Sequence, residues 1–543
     1  MTPWSSGPDA NPATVGARHC GDIVDLVRPT DPTEPLRYAI ACPERHASEA
    51  GAAAFEAGGN ALDAALAAAA TLAVTYPHNC GLGGDLFAVV RFPDGRSVSV
   101  NASGPAARAA DPDEQRTRGP QMPAIGPDPI TVPGVVAGWQ RLHALGARLG
   151  WDAAFAEARR RAEHGVAVSS SLAAAIEDAA GDIAADPGMS AVFRPGGTLR
   201  QPALARTLAA IAEHGADELY AGETGARLVA GLRARGSRID AADLAAFVPE
   251  ETAPLTGRFR DLTLLTSPPN ASGVLLLQAL AALEAAGLDD PLGAGAGVLA
   301  ELLRLGAAQR EELLADPRWA PTDLDAWLGE ERIAELVSAA GLPRAARRVV
   351  GAQPTGDTVA VVAADSSGLA VSLIQSLFGS FGSRLLEPAT GVLLHNRGSF
   401  FSLVPGHPNE LAGGKRPSHT LMPLVIERHG ALAGVLGTMG GRAHAQIHAQ
   451  ILLRLLSGSG PAAAVAAPRW VVGGLESGAP DTAARVESGV PAAAVEALTR
   501  AGMQVTEEPW PSEELGHAQA IWIDGARLSA GSDPRADGVA VYG

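Results

Sequence analysis

Residues 351–376 read GAQPTGDTVAVVAADSSGLAVSLIQS. Positions 359–364 alternate loosely, as a strand does. Asp365-Ser366-Ser367-Gly368 has the composition of a tight turn, and 369–375 predicts the returning strand. The stretch therefore reads as a β-hairpin whose first residue is Thr358. Threonine is a good strand former, so that position alone says little. Its place directly behind Gly356-Asp357 says more. A threonine hydroxyl is a weak nucleophile and needs a base. If the Asp357–Thr358 bond were cut, the new α-amine of Thr358 would be that base, because an α-amine titrates near neutrality. No histidine or aspartate partner is then required.

Working outward, residues 1–36 are rich in Pro, Gly and Asp and predict a loose arm. A short strand is expected at 37–42. Residues 44–74 predict two helices separated by Gly58-Gly59-Asn60, with Gly59 as C-cap and Asn60 as N-cap. The apolar run 62–76 is interrupted by Asp63 and is too short to span a bilayer, so it predicts a buried, Ala-rich helix. Asn79-Cys80-Gly81-Leu82-Gly83-Gly84-Asp85 is a glycine-rich turn feeding strands at 86–91 and 97–101. From 134 to about 342 the pattern is helical, with one candidate strand at 262–265. Further strands are expected at 391–395, 424–427, 433–436 and 518–523, and a helix at 443–456.

The chain has 543 residues and a formal net charge of −17, which leaves no basic footprint for nucleic acid. The N-terminus lacks a charged start followed by an apolar core, so no signal peptide is read there. Cys20, Cys42 and Cys80 form neither a disulfide framework nor a C-x-x-C zinc spacing. They read as reduced thiols of a cytoplasmic protein. Gly81-Leu82-Gly83-Gly84 lacks the Gly-Lys-Ser/Thr ending of a phosphate loop. It reads as a tight backbone bend near a site, where glycine permits positive φ and close approach. His444 and His448 are spaced i, i+4 but lack the glutamate of a zinc motif. They read as solvated or capped histidines rather than metal ligands. Gly437-Thr438-Met439-Gly440-Gly441 lies between an apolar strand and a helix. Unhindered N–H groups there suit an oxyanion hole.

These motifs together resemble the γ-glutamyltransferase family of N-terminal-nucleophile hydrolases, from about residue 38 to the end. The resemblance is carried by the block 41–87, by TVPGVVAGW (131–139), PPNASG (268–273), GDTVAVV (356–362), PATG (388–391), PGHPN (405–409), GKRPSHT (414–420), GTMGG (437–441) and SDPRADG (532–538). It implies an α+β fold, a four-layer αββα sandwich. It implies a precursor that cuts itself before Thr358, leaving a large subunit of residues 37–357 behind the arm and a small subunit of residues 358–543. Mature Thr358 would attack a small-molecule amide and pass the acyl group to water or an amine, without metal or cofactor and without nucleic-acid or membrane partners. The resemblance leaves room for a heterotetramer. It assigns Gly440 and Gly441 to the oxyanion hole and aligns Ser376 with the hydroxyl that holds the nucleophile.

The grip on glutamate departs from the family. The aligned arginine is Asn101, the asparagine is Phe378, the glutamine is Arg397, the aspartate is Phe400, and the Ser-Ser pair is His419-Thr420. A phenylalanine offers no acceptor to an α-ammonium group, and leaving that charge unpaired is costly. Arg397 instead offers a forked pair to a substrate carboxylate, with His419 as helper, unless it is held in a structural ion pair. The pattern looks like the branch that includes oxamate amidohydrolase and other acylases. The expectation is an amidohydrolase of non-glutamyl amides. An ordinary γ-glutamyl hydrolase with a substitute grip is the alternative, and an uncut, inactive scaffold is the third reading.

Overall fold

The computed structural model describes residues 26–27, 36–194, 196–341, 357–473, 479–525 and 527–543. Two large sheets organise them. The first has eight strands, in spatial order Leu26–Val27, Val539–Tyr542, Tyr38–Cys42, Asp357–Asp365, Ala370–Phe378, Asp85–Arg91, Ser97–Ala102 and Glu250–Thr252. The second has six: Arg527–Ser532, Ala518–Asp524, Ala431–Thr438, Leu424–Arg428, Leu262–Thr266 and Leu255–Phe259.

The strand Asp357–Asp365 shows why the layers stack as they do. Its side chains alternate between two faces, and both faces are buried. Val359, Val361 and Ala363 pack with the helices Arg45–Glu56 and Ala61–Thr75. Ala360, Val362 and Ala364 point the other way, into the space between the sheets. There Val362 and Ala364 join Val425, Val435 and Ile521 of the second sheet. The outer face of that sheet is covered by Gly273–Ala286, Ala296–Ala308 and His444–Leu456. The result is helix, sheet, sheet, helix, as expected.

Local signals fix several boundaries. Asn60 caps Ala61–Thr75 through a capping box with Asp63. That helix is buried along its whole length, as expected of its alanines. The preceding helix ends at Glu56, and Gly58, not Gly59, takes the left-handed conformation at φ +93°. The hairpin begins one residue earlier than expected, at Asp357.

Other expectations are corrected. Within the stretch read as helical, strands Glu250–Thr252 and Leu255–Phe259 add an edge to each sheet. The strand expected at 391–395 is only Val392–Leu393, paired with Leu386–Glu387 in a ladder of its own. Part of the expected arm, Leu26–Val27, pairs in parallel with Val541 and Tyr542. The rest of that arm, Cys20 and Gly356 lie outside the described residues. Cys42 and Cys80 are buried free thiols. Among the described residues no helix is long and apolar enough to cross a membrane.

Candidate active site

Thr358 sits where the hairpin ladder is irregular. Asp357 pairs with Phe378 and Val359 pairs with Gln375, so Ser376 and Leu377 together oppose Thr358. Such a bulge re-aims side chains. Here it brings two hydroxyls together: Thr358 Oγ1 donates to Ser376 Oγ at 2.9 Å. Ser376 Oγ in turn donates to the carbonyl oxygen of Asp357 at 2.6 Å and accepts the Phe378 N–H at 2.8 Å. One hydroxyl therefore touches the candidate nucleophile and the carbonyl it would attack.

The glycine-rich turn holds this bulge from the other side. Leu377 N–H donates to Asn79 O at 2.9 Å, and His395 N–H to Gly83 O at 3.0 Å. A Cβ on Gly84 would strike the Ser376 carbonyl, and one on Gly83 the Leu393 carbonyl. Close approach is what these glycines supply. Neither they nor Gly81 have positive φ.

Gly440 and Gly441 do need unusual backbone, at φ +150° and +52°. They join Ala431–Thr438 to His444–Leu456 through a short 3₁₀ turn. The residues before them are pinned, since Met439 N–H and Thr438 Oγ1 donate to His517 O at 2.8 and 2.9 Å. Both glycines line a cleft of about 180 Å³ with Asp357, Phe378, Arg384, Arg442 and Glu513. Thr358 itself is buried in the uncut chain and is not among the residues that line the cleft. Burial and the nearby Glu513 push the Asp357 carboxyl well above the usual range, against a hydrogen bond from Ser380.

Of the remaining predicted residues, Arg397 and Phe400 pack on the Phe378 ring, with Thr420 beside Arg397. Arg397 lies 3.9 Å from the Phe378 ring centroid and 4.8 Å from that of Phe400. Its Nη2 donates to Thr420 Oγ1 at 3.1 Å. Burial pushes its pKa down to about 9, with Asp85 pulling it up and Arg310 lowering it further. Among the described residues no ion pair joins Arg397 to a carboxylate. His419 Nε2 meets Asp85 Oδ2 at 3.1 Å, and His395 Nδ1 approaches the same oxygen at 3.4 Å. Burial opposes the charge on Asp85, but the two imidazoles hold its carboxyl below the usual range. Burial drives His419 down to about 3. Asn101 is engaged elsewhere: its Nδ2 donates to Asn270 Oδ1 at 2.9 Å, and its Oδ1 accepts from Ser103. Arg397, Phe400, His419, Thr420 and Asn101 do not line the cleft.

His444 and His448 are fully buried rather than solvated, because their helix packs against the outer face of the second sheet. His448 Nε2 lies 3.0 Å from Met422 O. Among the described residues no group of three His, Cys, Asp or Glu is placed to hold a metal ion.

Residues 47–543 match the family model for gamma-glutamyltranspeptidase. The chain belongs to the gamma-glutamyltranspeptidase family. Its similarity extends along whole relatives. It is 34% identical to the oxamate amidohydrolase proenzyme of Klebsiella pneumoniae, over 92% of this chain and 97% of that one. It is also 34% identical to the glutathione hydrolase-like YwrD proenzyme of Bacillus subtilis, over 92% and 98%. The crystal structure of cephalosporin acylase from Bacillus halodurans superposes with a TM-score of 0.85 at 28% identity, covering 99% of each chain. The four layers are thus the N-terminal-nucleophile hydrolase fold of the gamma-glutamyltranspeptidase family.

Sequence reasoning gave no role to Asp85, Asn270 or Arg442. Asp85 and Asn270 lie inside motifs already singled out, yet their partners are remote. Asn270 Nδ2 donates to Ser103 Oγ and to Pro417 O, at 3.1 and 2.7 Å. Arg442 directly follows the Gly-Gly pair, a signal that was available.

Proposed function

We propose that this chain is a self-processing amide hydrolase or acyltransferase with Thr358 as nucleophile. The observation that carries the reading is Ser376 Oγ, bonded at once to Thr358 Oγ1 and to the Asp357 carbonyl oxygen. Thr358 Oγ attacks the Asp357 carbonyl carbon. The C–N bond breaks, and the Asp357 acyl group passes to Thr358 Oγ as an ester. The hydroxyl proton passes to the departing nitrogen, so the Thr358 α-amine is freed as the ester forms; water then hydrolyses the ester, releasing the Asp357 α-carboxylate and restoring the Thr358 hydroxyl. Both large sheets contain strands from each side of this bond, so the pieces 1–357 and 358–543 stay interleaved after the cut.

In the cut enzyme the α-amine takes the Thr358 hydroxyl proton as the oxygen attacks a substrate amide. The same amine then protonates the departing nitrogen, leaving an acyl-enzyme that water or an amine resolves. Gly440 and Gly441 stand at the cleft as oxyanion donors. The substrate is a small amide without a γ-glutamyl head. Asn101 is tied to Asn270 and Ser103, and Phe378 and Phe400 carry no acceptor for an α-ammonium group. A cytoplasmic location belongs to this reading, supported by the free thiols Cys42 and Cys80. Pairing of two processed units into a heterotetramer is its assembly counterpart.

The test is a substrate panel on the cut enzyme. Amides of small acids lacking an α-ammonium group should exceed γ-glutamyl anilide and glutathione in kcat/KM by at least about tenfold, on the order of one lost polar contact. Efficient turnover of the γ-glutamyl compounds would overturn the substrate assignment.

A further inference from the structure

Arg397 is a buried cation that uses only its Nη2 donor, on Thr420 Oγ1. It is 1% exposed, and its Nε and Nη1 have no hydrogen-bond partner. Asp85, the buried carboxylate whose charge acts on Arg397, is committed to His419, to the Gly104 N–H at 3.0 Å and to the neighbouring His395. Two aromatic rings set edge to face, with centroids 4.7 Å apart, flank the guanidinium. The ring faces stabilise the charge but accept no full hydrogen bond. A buried guanidinium with unmade bonds is expensive, and a carboxylate is the ligand its geometry suits.

Phe378 stands between this cation and the cleft: Phe378 lines the cleft and its ring lies on the guanidinium, while Arg397 does not line the cleft. The Phe378 backbone sits at φ +76°, a region bulky residues avoid. Two backbone contacts hold it there. Its N–H donates to Ser376 Oγ, and it pairs across the ladder with Asp357. Cutting the chain between Asp357 and Thr358 severs the covalent tie that keeps Asp357 in this strand, and with it the support for the second contact.

We propose that Arg397 is the binding site for a carboxylate on the acyl half of the substrate, and that Phe378 covers it until the chain is cut. The inference rests on the cleavage reading above. Phe378 lies two residues beyond Ser376, so the carboxylate sits close to the scissile carbonyl and the acyl group is a short diacid. Cleavage then opens a specificity site as well as freeing the amine.

Malonate is the probe, with neutral malonamide as control, measured by titration calorimetry. The cut wild-type enzyme should bind malonate and not malonamide, and Arg397→Gln should weaken malonate binding at least tenfold. Self-cleavage of Arg397→Gln serves as the check on its folding. The uncut Thr358→Ala chain should not bind malonate, and adding Phe378→Ala to it should create binding, a gain that misfolding does not produce. Equal malonate affinity in wild type and a self-cleaving Arg397→Gln would overturn the subsite. Equal affinity in the cut enzyme and the uncut Thr358→Ala chain would overturn the cover. A wild-type chain that never cuts would defeat the nucleophile assignment, while the Phe378→Ala arm still decides whether Arg397 takes a carboxylate.

Discussion

Ser376 Oγ donates to the Asp357 carbonyl oxygen at 2.6 Å, across the hairpin and next to the bond that must break. The donor points at the oxygen on which negative charge develops when Thr358 attacks. Ser376→Ala removes it and also leaves the Thr358 hydroxyl and the Phe378 N–H without their partner. Self-cleavage should slow by about 10²–10³-fold, the usual effect of losing one oxyanion donor. Ser376→Thr should recover most of the rate. A time course of fragment appearance on denaturing gels reads both variants, and an unchanged rate in Ser376→Ala would contradict the assignment.

Gly84 positions Ser376 by having no side chain. A Cβ there would collide with the Ser376 carbonyl, which belongs to a central strand and has little freedom to retreat. Gly84→Ala should slow self-cleavage at least about tenfold, since small misplacements of reacting groups are costly. Gly181→Ala meets no atom within 4 Å and should leave the rate unchanged. The same gel assay compares them.

Acid should destabilise the uncut Thr358→Ala chain well above the carboxylate range. His78 and His419 are pushed down to about 3, and His448 and His517 to about 4, in each case chiefly by burial. The sign follows from linkage. The unfolded chain takes up these protons near pH 6.5 and the folded chain does not, so stability is full above 6.5 and falls as pH drops. At pH 5 each histidine costs about 2 kcal/mol relative to pH 8. Urea titrations at pH 8, 6 and 5 should show this decline, and His448→Gln should make it shallower. An equal decline in the Thr358→Ala chain with and without His448→Gln would mean that His448 is protonated in the fold.

The hairpin, the Gly-Gly turn and the Asn60 cap were legible in sequence because each is encoded within a few residues. The layered fold and the family came from the order of many such motifs. Features set by distant partners were not legible. Glu250–Thr252 is a polar, exposed edge strand with no apolar alternation, so it passed as part of a helical stretch. Asp85 meets His419 across 334 positions of sequence. His444 and His448 look solvent-facing by residue type, yet their helix is buried between the second sheet and the strand Trp470–Val472. Arg397 was read as a substrate contact; its place behind Phe378 depends on a left-handed backbone that residue type does not announce.

The central claim is that Thr358 cuts the chain at its own amide. Intact-mass spectrometry of the purified wild-type protein, beside Thr358→Ala, tests it most directly. The account predicts two fragments meeting at Asp357/Thr358 in the wild type and a single full-length chain in Thr358→Ala. A wild-type chain that stays whole, or a Thr358→Ala chain that is cut at the same bond, would contradict it.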